Sequence, residues 1–411
     1  MQLNHVIESR EDLLNHFDSS EKLEINNSEQ MKDLLEMQIP PEVWEDALKR
    51  NLLSFNYEFV QQTKEFSFDY REIEHIYLIS FLINLTELNL QENEISDISS
   101  ISKLKNLKQL YLSYNSIDDI STLQSLPDLT HLHLYQNKLT SYTLALPNLV
   151  ELVLGYNSLK DKSGLQHSPK LERLDLSQTE TTDLHTIPHQ LFGLKELNVS
   201  ENNITDISYI SNFIDLQILD FSYNKQLQTI GPLKFCTQLT KLVIVTTNVS
   251  DIWPLQFMKN LKTLDMYETK VVDLHPLQYL YKLENISADN ASIIDVSPLS
   301  KLTQLKTLSF SFNKITNADT LKHHQNFSEY NQSDQEVPTP DELKFYNKII
   351  SVHSSHKQFR KIQAENRASK IKKQMTHQKE QFNLKINEQI QVINMKIEIW
   401  AQFIQNSYAD Q

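Results

Sequence analysis

The sequence predicts an α/β solenoid: short strand-and-turn units stacked side by side, with an acidic helical segment in front and one long helix behind. Three observations carry this. The pattern Leu-x-x-Leu-x-Leu-x-x-Asn-x-Ile-x-Asp-Ile-x-x-Leu-x-x-Leu starts at Leu85, Leu107, Leu129, Leu149, Leu171, Leu194, Leu216, Leu239, Leu261, Leu283 and Leu305. Its spacings run from 20 to 23 residues with a mean of 22, too regular for an aperiodic domain. Glycine is scarce, at 4 of 411 residues, and no Pro or Gly interrupts residues 341–411, as a long helix requires.

Residues 1–62 read as an acidic helical segment, a cap or a small separate bundle, because Asp12–Phe17, Ser28–Met37 and Pro41–Leu53 place apolar residues three to four apart. A degenerate unit begins at Thr63, with Phe66, Phe68, Ile73, Ile76, Ile79 and Leu82 at the phases of the later leucines, so the solenoid spans 63–322. Within a unit such as Leu107-x-x-Leu110-x-Leu112, the second and third leucines are two apart and share one face of a short strand, pointing into the core. Position nine is Asn93, Asn115, Asn137, Asn157, Asn202, Asn224 and Asn313, where an amide both donates to and accepts from backbone groups of neighbouring turns. A hydroxyl at Thr179, Thr247 and Thr269 does part of this work. Ala291 does none, and a weaker turn is expected there. The second half of each unit, such as Asp295-Val-Ser-Pro-Leu299, is short and proline-tolerant and suits a 3₁₀ turn on the convex side.

Residues 323–340 are polar with Pro338 and Pro340 and read as a linker. Thr339-Pro340-Asp341-Glu342 opens a helix over 341–408. Near its end Ile386, Ile390, Ile393, Ile397, Trp400 and Ile404 alternate at four and three, the heptad seam of a coiled coil, which predicts a homodimer or another coiled-coil partner. Upstream, Ile362, Gln363, Arg367, Lys372 and Met375 resemble an IQ motif, with Ala368 where glycine is usual. That resemblance implies a calmodulin-like partner.

The repeats themselves resemble the 22-residue class of leucine-rich repeats found in bacterial internalins and in the regulatory subunit of type 1 protein phosphatase. Asn93-Glu-Ile-Ser-Asp97-Ile98 and Asp295-Val-Ser-Pro-Leu299 are typical phrases of it. The resemblance implies a right-handed curved solenoid with a parallel concave sheet that grips another protein, without catalysis. The cap that closes the phosphatase regulator is not matched in residues 323–340.

Outward strand positions then define the expected protein-binding face. Tyr111, Tyr114, His133, Tyr135 and Tyr156 form an aromatic patch near its front, with His131 on the same face. Glu196, Glu201, Asp220, Asp265 and Glu268 make a later acidic stretch, and Asp175, Tyr223 and Tyr267 lie on the same face. Aromatics of this kind anchor protein interfaces.

The formal net charge of −14 is uneven: residues 337–411 carry 12 Lys/Arg and 7 Asp/Glu, leaving 27 and 46 in front. So acidic a front repels nucleic-acid phosphates. No nucleophile motif, nucleotide loop or metal cluster is present. His131-x-His133 lacks a third ligand, and no cofactor is expected. The one cysteine, Cys236, excludes an intrachain disulfide and points to a reducing compartment. No apolar run reaches the ~20 residues of a membrane span and no export signal is seen. A cytoplasmic location, with cytoskeletal association as one form of it, is the expectation. The functional expectation is a non-catalytic binding scaffold; its alternatives are a phosphatase regulatory subunit and a calmodulin-linked cytoskeletal adaptor.

Overall fold

The computed structural model describes Glu11, Leu13 and Asn15, residues 22–321 apart from Asn51, 329–339 apart from Gln332, and Glu342, Leu343 and Asn347. The chain divides into two units, residues 1–338 and 339–411.

The first unit opens with strand β1 (Leu23–Ile25), helices α1 (Ser28–Glu36) and α2 (Pro41–Lys49), strand β2 (Leu53–Phe55) and helix α3 (Tyr57–Gln62). Asn27 and Asn56 cap α1 and α3 through their side chains. Helix α2 starts at Pro41, where the missing N–H would be unpaired anyway. The sequence places helices at Ser28–Met37 and Pro41–Leu53; α1 and α2 occupy these stretches, but the second stops at Lys49 because Leu53–Phe55 pairs in parallel with β1. Strands of three residues leave too little alternation to be read, so β1, β2 and the short α3 are additions to the sequence reading. Of residues 12–17, Leu13 and Asn15 are described; both are helical and Leu13 is buried.

The solenoid strands follow: β3 (Glu65–Ser67), β4 (Glu87–Asn89), β5 (Gln109–Tyr111), β6 (His131–His133), β7 (Glu151–Val153), β8 (Arg173–Asp175), β9 (Glu196–Asn198), β10 (Ile218–Asp220), β11 (Lys241–Val243), β12 (Thr263–Asp265), β13 (Asn285–Ser287), β14 (Thr307–Ser309) and β15 (Glu329–Asn331). They form one thirteen-stranded parallel sheet in strict chain order, the architecture of a curved leucine-rich-repeat solenoid. The middle residue of each strand from β3 to β14 points into a core that runs along the stack, from Leu13 to Leu321. The degenerate first turn is genuine: Phe66, Phe68, Ile73, Ile76, Ile79 and Leu82 are all buried. No turn covers its own apolar edges, so stability comes from stacking neighbours.

Most turns return through a 3₁₀ segment such as Ser99–Lys103, Ser121–Ser125 or Trp253–Phe257. The recurrent aspartate starts it: Asp97, Asp119, Asp161, Asp206, Asp251 and Asp295 each accept the backbone N–H two residues on, at 2.7–2.8 Å. Much of the negative charge of the front is therefore structural.

The asparagine ladder holds the opposite corner. Asn224 donates to Val199 O at 3.0 Å and Phe221 O at 2.8 Å and accepts from Ile204 N at 2.9 Å, tying its own turn to the one before. Thr179, Thr247 and Thr269 each donate to the carbonyl three residues back at 2.7–2.9 Å. They reproduce the donor half alone.

The stack continues beyond residue 322, into the stretch read as a linker. Strand β15 pairs with β14. Gln335 takes the ladder position, donating to Phe310 O at 2.7 Å and accepting from Ile315 N at 3.0 Å. A glutamine in place of asparagine, within a polar stretch, conceals this turn from the pattern.

One turn is short. The 20 residues between Leu129 and Leu149 have no 3₁₀ segment, and the wholly buried Tyr142 fills the space. The backbone there runs so close to the next turn that a Cβ on Gly164 would lie 2.8 Å from both Leu144 N and Leu144 O. Beside it Lys162 stands where other turns have Ile98, Ile120, Ile207 and Ile252. Its Nζ donates to Leu159 O at 2.8 Å and Thr179 O at 3.1 Å, and burial lowers its pKa.

In the second unit, Thr339 and Glu342 form a reciprocal capping box: Thr339 N donates to Glu342 Oε2 at 2.8 Å and Glu342 N to Thr339 Oγ1 at 3.3 Å. The seam residues Ile386, Ile390, Ile393, Ile397, Trp400 and Ile404, and the IQ-like Ile362, Gln363, Arg367, Lys372 and Met375, lie outside the described residues. Among the described residues no helix is long and apolar enough to cross a membrane.

Candidate binding face

Each turn shows four residues on the strand side: the first and third of the strand and, past one buried residue such as Leu90 or Leu112, the next two. The register aligns them into rows, so that Gln109, His131, Glu151, Arg173 and Glu196 lie side by side, and Tyr111, His133, Val153, Asp175 and Asn198 beside them.

The expected front group comes together. Tyr111 and His133 meet edge to face with centroids 4.8 Å apart. Tyr114 lies 5.3 Å from Tyr135, and Tyr135 4.8 Å from Tyr156, within the range at which aromatic pairs attract. The Tyr156 hydroxyl donates to Glu201 Oε1 at 2.5 Å, linking the aromatic run to the acidic stretch. His131 and His133 meet different partners. His131 Nδ1 meets Thr130 Oγ1 at 2.9 Å, whereas His133 Nε2 meets Glu151 Oε1 at 2.7 Å. Among the described residues no three His, Cys, Asp or Glu side chains gather as a metal site would need.

Glu151, Arg173 and Glu196 continue the network: the guanidinium lies 2.5 Å from Glu151 Oε1 and 3.4 Å from Glu196 Oε2. Burial lowers the pKa of His133 and outweighs the Glu151 carboxylate, which acts to raise it. His133 is accordingly neutral at pH 7. Glu151 stands in the register without belonging to either expected zone, and its role as the hinge of this network is visible in space alone. Gly155 was also hidden: a Cβ there would come within 2.9 Å of the Tyr135 ring and of Asp175 Oδ1, so its bareness seats Tyr135.

The acidic stretch divides. Asp175, Asp220 and Asp265 sit at strand ends and accept the N–H of the residue two on, Ser177, Ser222 and Tyr267, at 2.8, 2.8 and 3.2 Å. Burial raises the pKa of Asp220. These three shape the strand end, whereas Glu201 and Glu268 are exposed. Glu196 pairs with Arg173, and Tyr223 and Tyr267 are half exposed.

A further regularity escapes sequence reading. In thirteen successive turns the residue one place before the ladder position, from Tyr70 through Tyr114, Tyr156, Glu201, Tyr223 and Glu268 to Asp334, has φ between 46° and 59°. Left-handed backbone is expected at glycine or asparagine. Here Asn290 alone is of an expected type, while Tyr, Glu, Gln, Thr, Phe and Asp hold the other positions, and no glycine in the chain has positive φ. The only sequence trace is the recurrence of Tyr, Glu or Gln just ahead of Asn. Thr246, at φ 52°, is β-branched, the kind most opposed to this conformation. Replacing it by glycine is expected to stabilise the protein by about 1 kcal/mol, seen as a higher urea midpoint.

Fold and face together define a leucine-rich-repeat solenoid. The family model for leucine-rich repeats (two copies) matches residues 83–125, 106–146 and 193–235. None of the curated proteins matches the chain. The structure is similar to that of an internalin (inlF) of Listeria monocytogenes, at 28% identity and a TM-score of 0.64, over 70% of this chain and 85% of that one. A Leptospira interrogans leucine-rich-repeat protein, at 21% identity and a TM-score of 0.61 over 79% and 81%, shares the fold. So does the functional domain of InlJ from Listeria monocytogenes, at 24% identity and a TM-score of 0.54 over 69% and 65%. That domain includes a cysteine ladder; this chain, with Cys236 alone, uses asparagine. Leucine-rich-repeat solenoids commonly serve as protein-interaction scaffolds.

Proposed function

We propose that this protein is a non-catalytic scaffold that grips a partner protein on the strand face of its solenoid. The observation that carries the reading is the continuous aromatic and ionic surface from Tyr111 and His133 through Tyr135 and Tyr156 to Glu201, held by a rigid sheet. Its side chains are positioned before any partner arrives, which lowers the entropy cost of association. Tyr111, His133, Arg173 and Tyr156 each have a local partner, the arrangement of a recognition surface rather than of an activated nucleophile.

The test compares proteins captured by the immobilised full chain with those captured by two triply substituted variants. One removes Tyr111, Tyr135 and Tyr156 as alanines. The other removes Phe235, Phe257 and Phe192, exposed aromatics away from the sheet. Loss of the captured set with the first variant alone is the expected result; the same proteins on both variants would refute the strand face as the site.

A further inference from the structure

The row of left-handed residues forms a rim along the strand exits, and its side chains have a common chemistry. From Tyr70 to Phe312 each rim N–H donates to a carbonyl of the following turn, as Tyr114 does to Tyr135 O at 2.7 Å, Tyr156 to Ser177 O at 2.8 Å and Glu268 to Asp289 O at 2.9 Å. The backbone of the rim is thus fixed from turn to turn. Aromatic rings project from it at Tyr70, Tyr114, Tyr223 and Phe312, between 42% and 67% exposed. Carboxylates alternate with them at Glu92, Glu201 and Glu268. Neither the rim nor the row beside it, two residues per turn from Asp69–Tyr70 to Ser333–Asp334, contains a Lys, Arg or His, although 39 of the 411 residues are Lys or Arg.

We infer that the rim binds an extended, arginine-bearing segment of a basic partner protein. This rests on the strand-face reading of function and adds the chemistry of the partner. Guanidinium is the group that satisfies both kinds of rim side chain at once: its flat face stacks on a tyrosine ring while its edge donates to a neighbouring carboxylate. Tyr156 and Glu201 are joined by their hydrogen bond into such a ring-and-carboxylate pair. The rings form an open ladder rather than a closed cage, which suits a chain lying along it and not a free cation. The rim and the row beside it carry charge of one sign, a negative field that draws in cationic chain from solution.

The experiment uses a fluorescein-labelled peptide of alternating Arg and Ser, its Lys and Glu counterparts, and the full-length protein, with binding read by anisotropy at two salt concentrations. The Arg peptide is expected to bind more tightly than the Lys peptide, and the Glu peptide not at all. Tyr114→Ala with Tyr156→Ala should weaken the Arg peptide by about tenfold. Glu201→Gln with Glu268→Gln should weaken it and flatten the salt dependence. Glu58→Gln with Glu74→Gln, the same charge change on exposed residues elsewhere, should leave binding nearly unchanged. Circular dichroism of each variant is the check that it folds. Absence of Arg-peptide binding, equal loss with the Glu58/Glu74 control, or no preference for Arg over Lys each overturns the rim inference. Binding that survives the rim substitutions but is lost with His133→Ala and Arg173→Ala overturns the rim while leaving the strand-face reading intact. That reading falls separately, by the capture comparison.

Discussion

Asn224→Ala is expected to cost about 3 to 4 kcal/mol, among the largest effects of any single side-chain truncation in the solenoid. The side chain is fully buried, and its loss strips partners from Ile204 N–H and from the carbonyls of Val199 and Phe221. Each buried backbone group left unpaired costs roughly 1–3 kcal/mol. A threonine at the same place should recover part of the loss, because Thr179, Thr247 and Thr269 show its hydroxyl reaching the carbonyl three residues back. Urea unfolding followed by circular dichroism should therefore rank Asn above Thr above Ala. Equal midpoints for Thr and Ala would show that the donor half of the rung is worth nothing and that acceptance from Ile204 carries the ladder.

The second large effect belongs to Gly164→Ala. The added methyl would meet the backbone of Leu144 at 2.8 Å, and backbone inside a stack of turns has nowhere to retreat. Overpacking of this kind costs about 3 kcal/mol. Gly193→Ala is the matched control, since nothing lies within 4 Å of its new Cβ and its φ is not positive. It should be neutral or stabilising by up to about 1 kcal/mol, through the unfolded chain. A Gly164→Ala protein as stable as the parent would mean that the short turn yields, and that its two missing residues leave slack rather than tension.

The repeats were legible because a leucine every second strand residue and an asparagine at fixed phase follow from geometry that every turn must satisfy. Burial of Leu110 and Leu112, and the bonding of Asn115 and Asn137, are the same statement read from sequence and from space. The degenerate turn at Thr63 was readable for the same reason. What stayed hidden depends on neighbours in other turns. The sequence separates Glu151 from Arg173 by 22 residues, and only the register puts them in contact. Gln335 differs from the ladder residue by one methylene and was passed over as linker. Asp175, Asp220 and Asp265 were read as surface charge because a carboxylate that caps its own strand end looks, in sequence, like one that awaits a partner.

The left-handed rim has a metric consequence. Its rungs follow the sheet at ~4.8 Å, whereas an extended polypeptide lying across them presents same-side residues every ~6.7 Å. The two scales act as a vernier: they drift apart at the first rung and nearly coincide at the third, where three rungs match four residues of the visiting chain. Tyr156 and Tyr223 stand three rungs apart, and so do Glu201 and Glu268. A visiting chain with arginines four residues apart meets both pairs nearly in step, while one with arginines only two residues apart meets neither neighbouring rung in register.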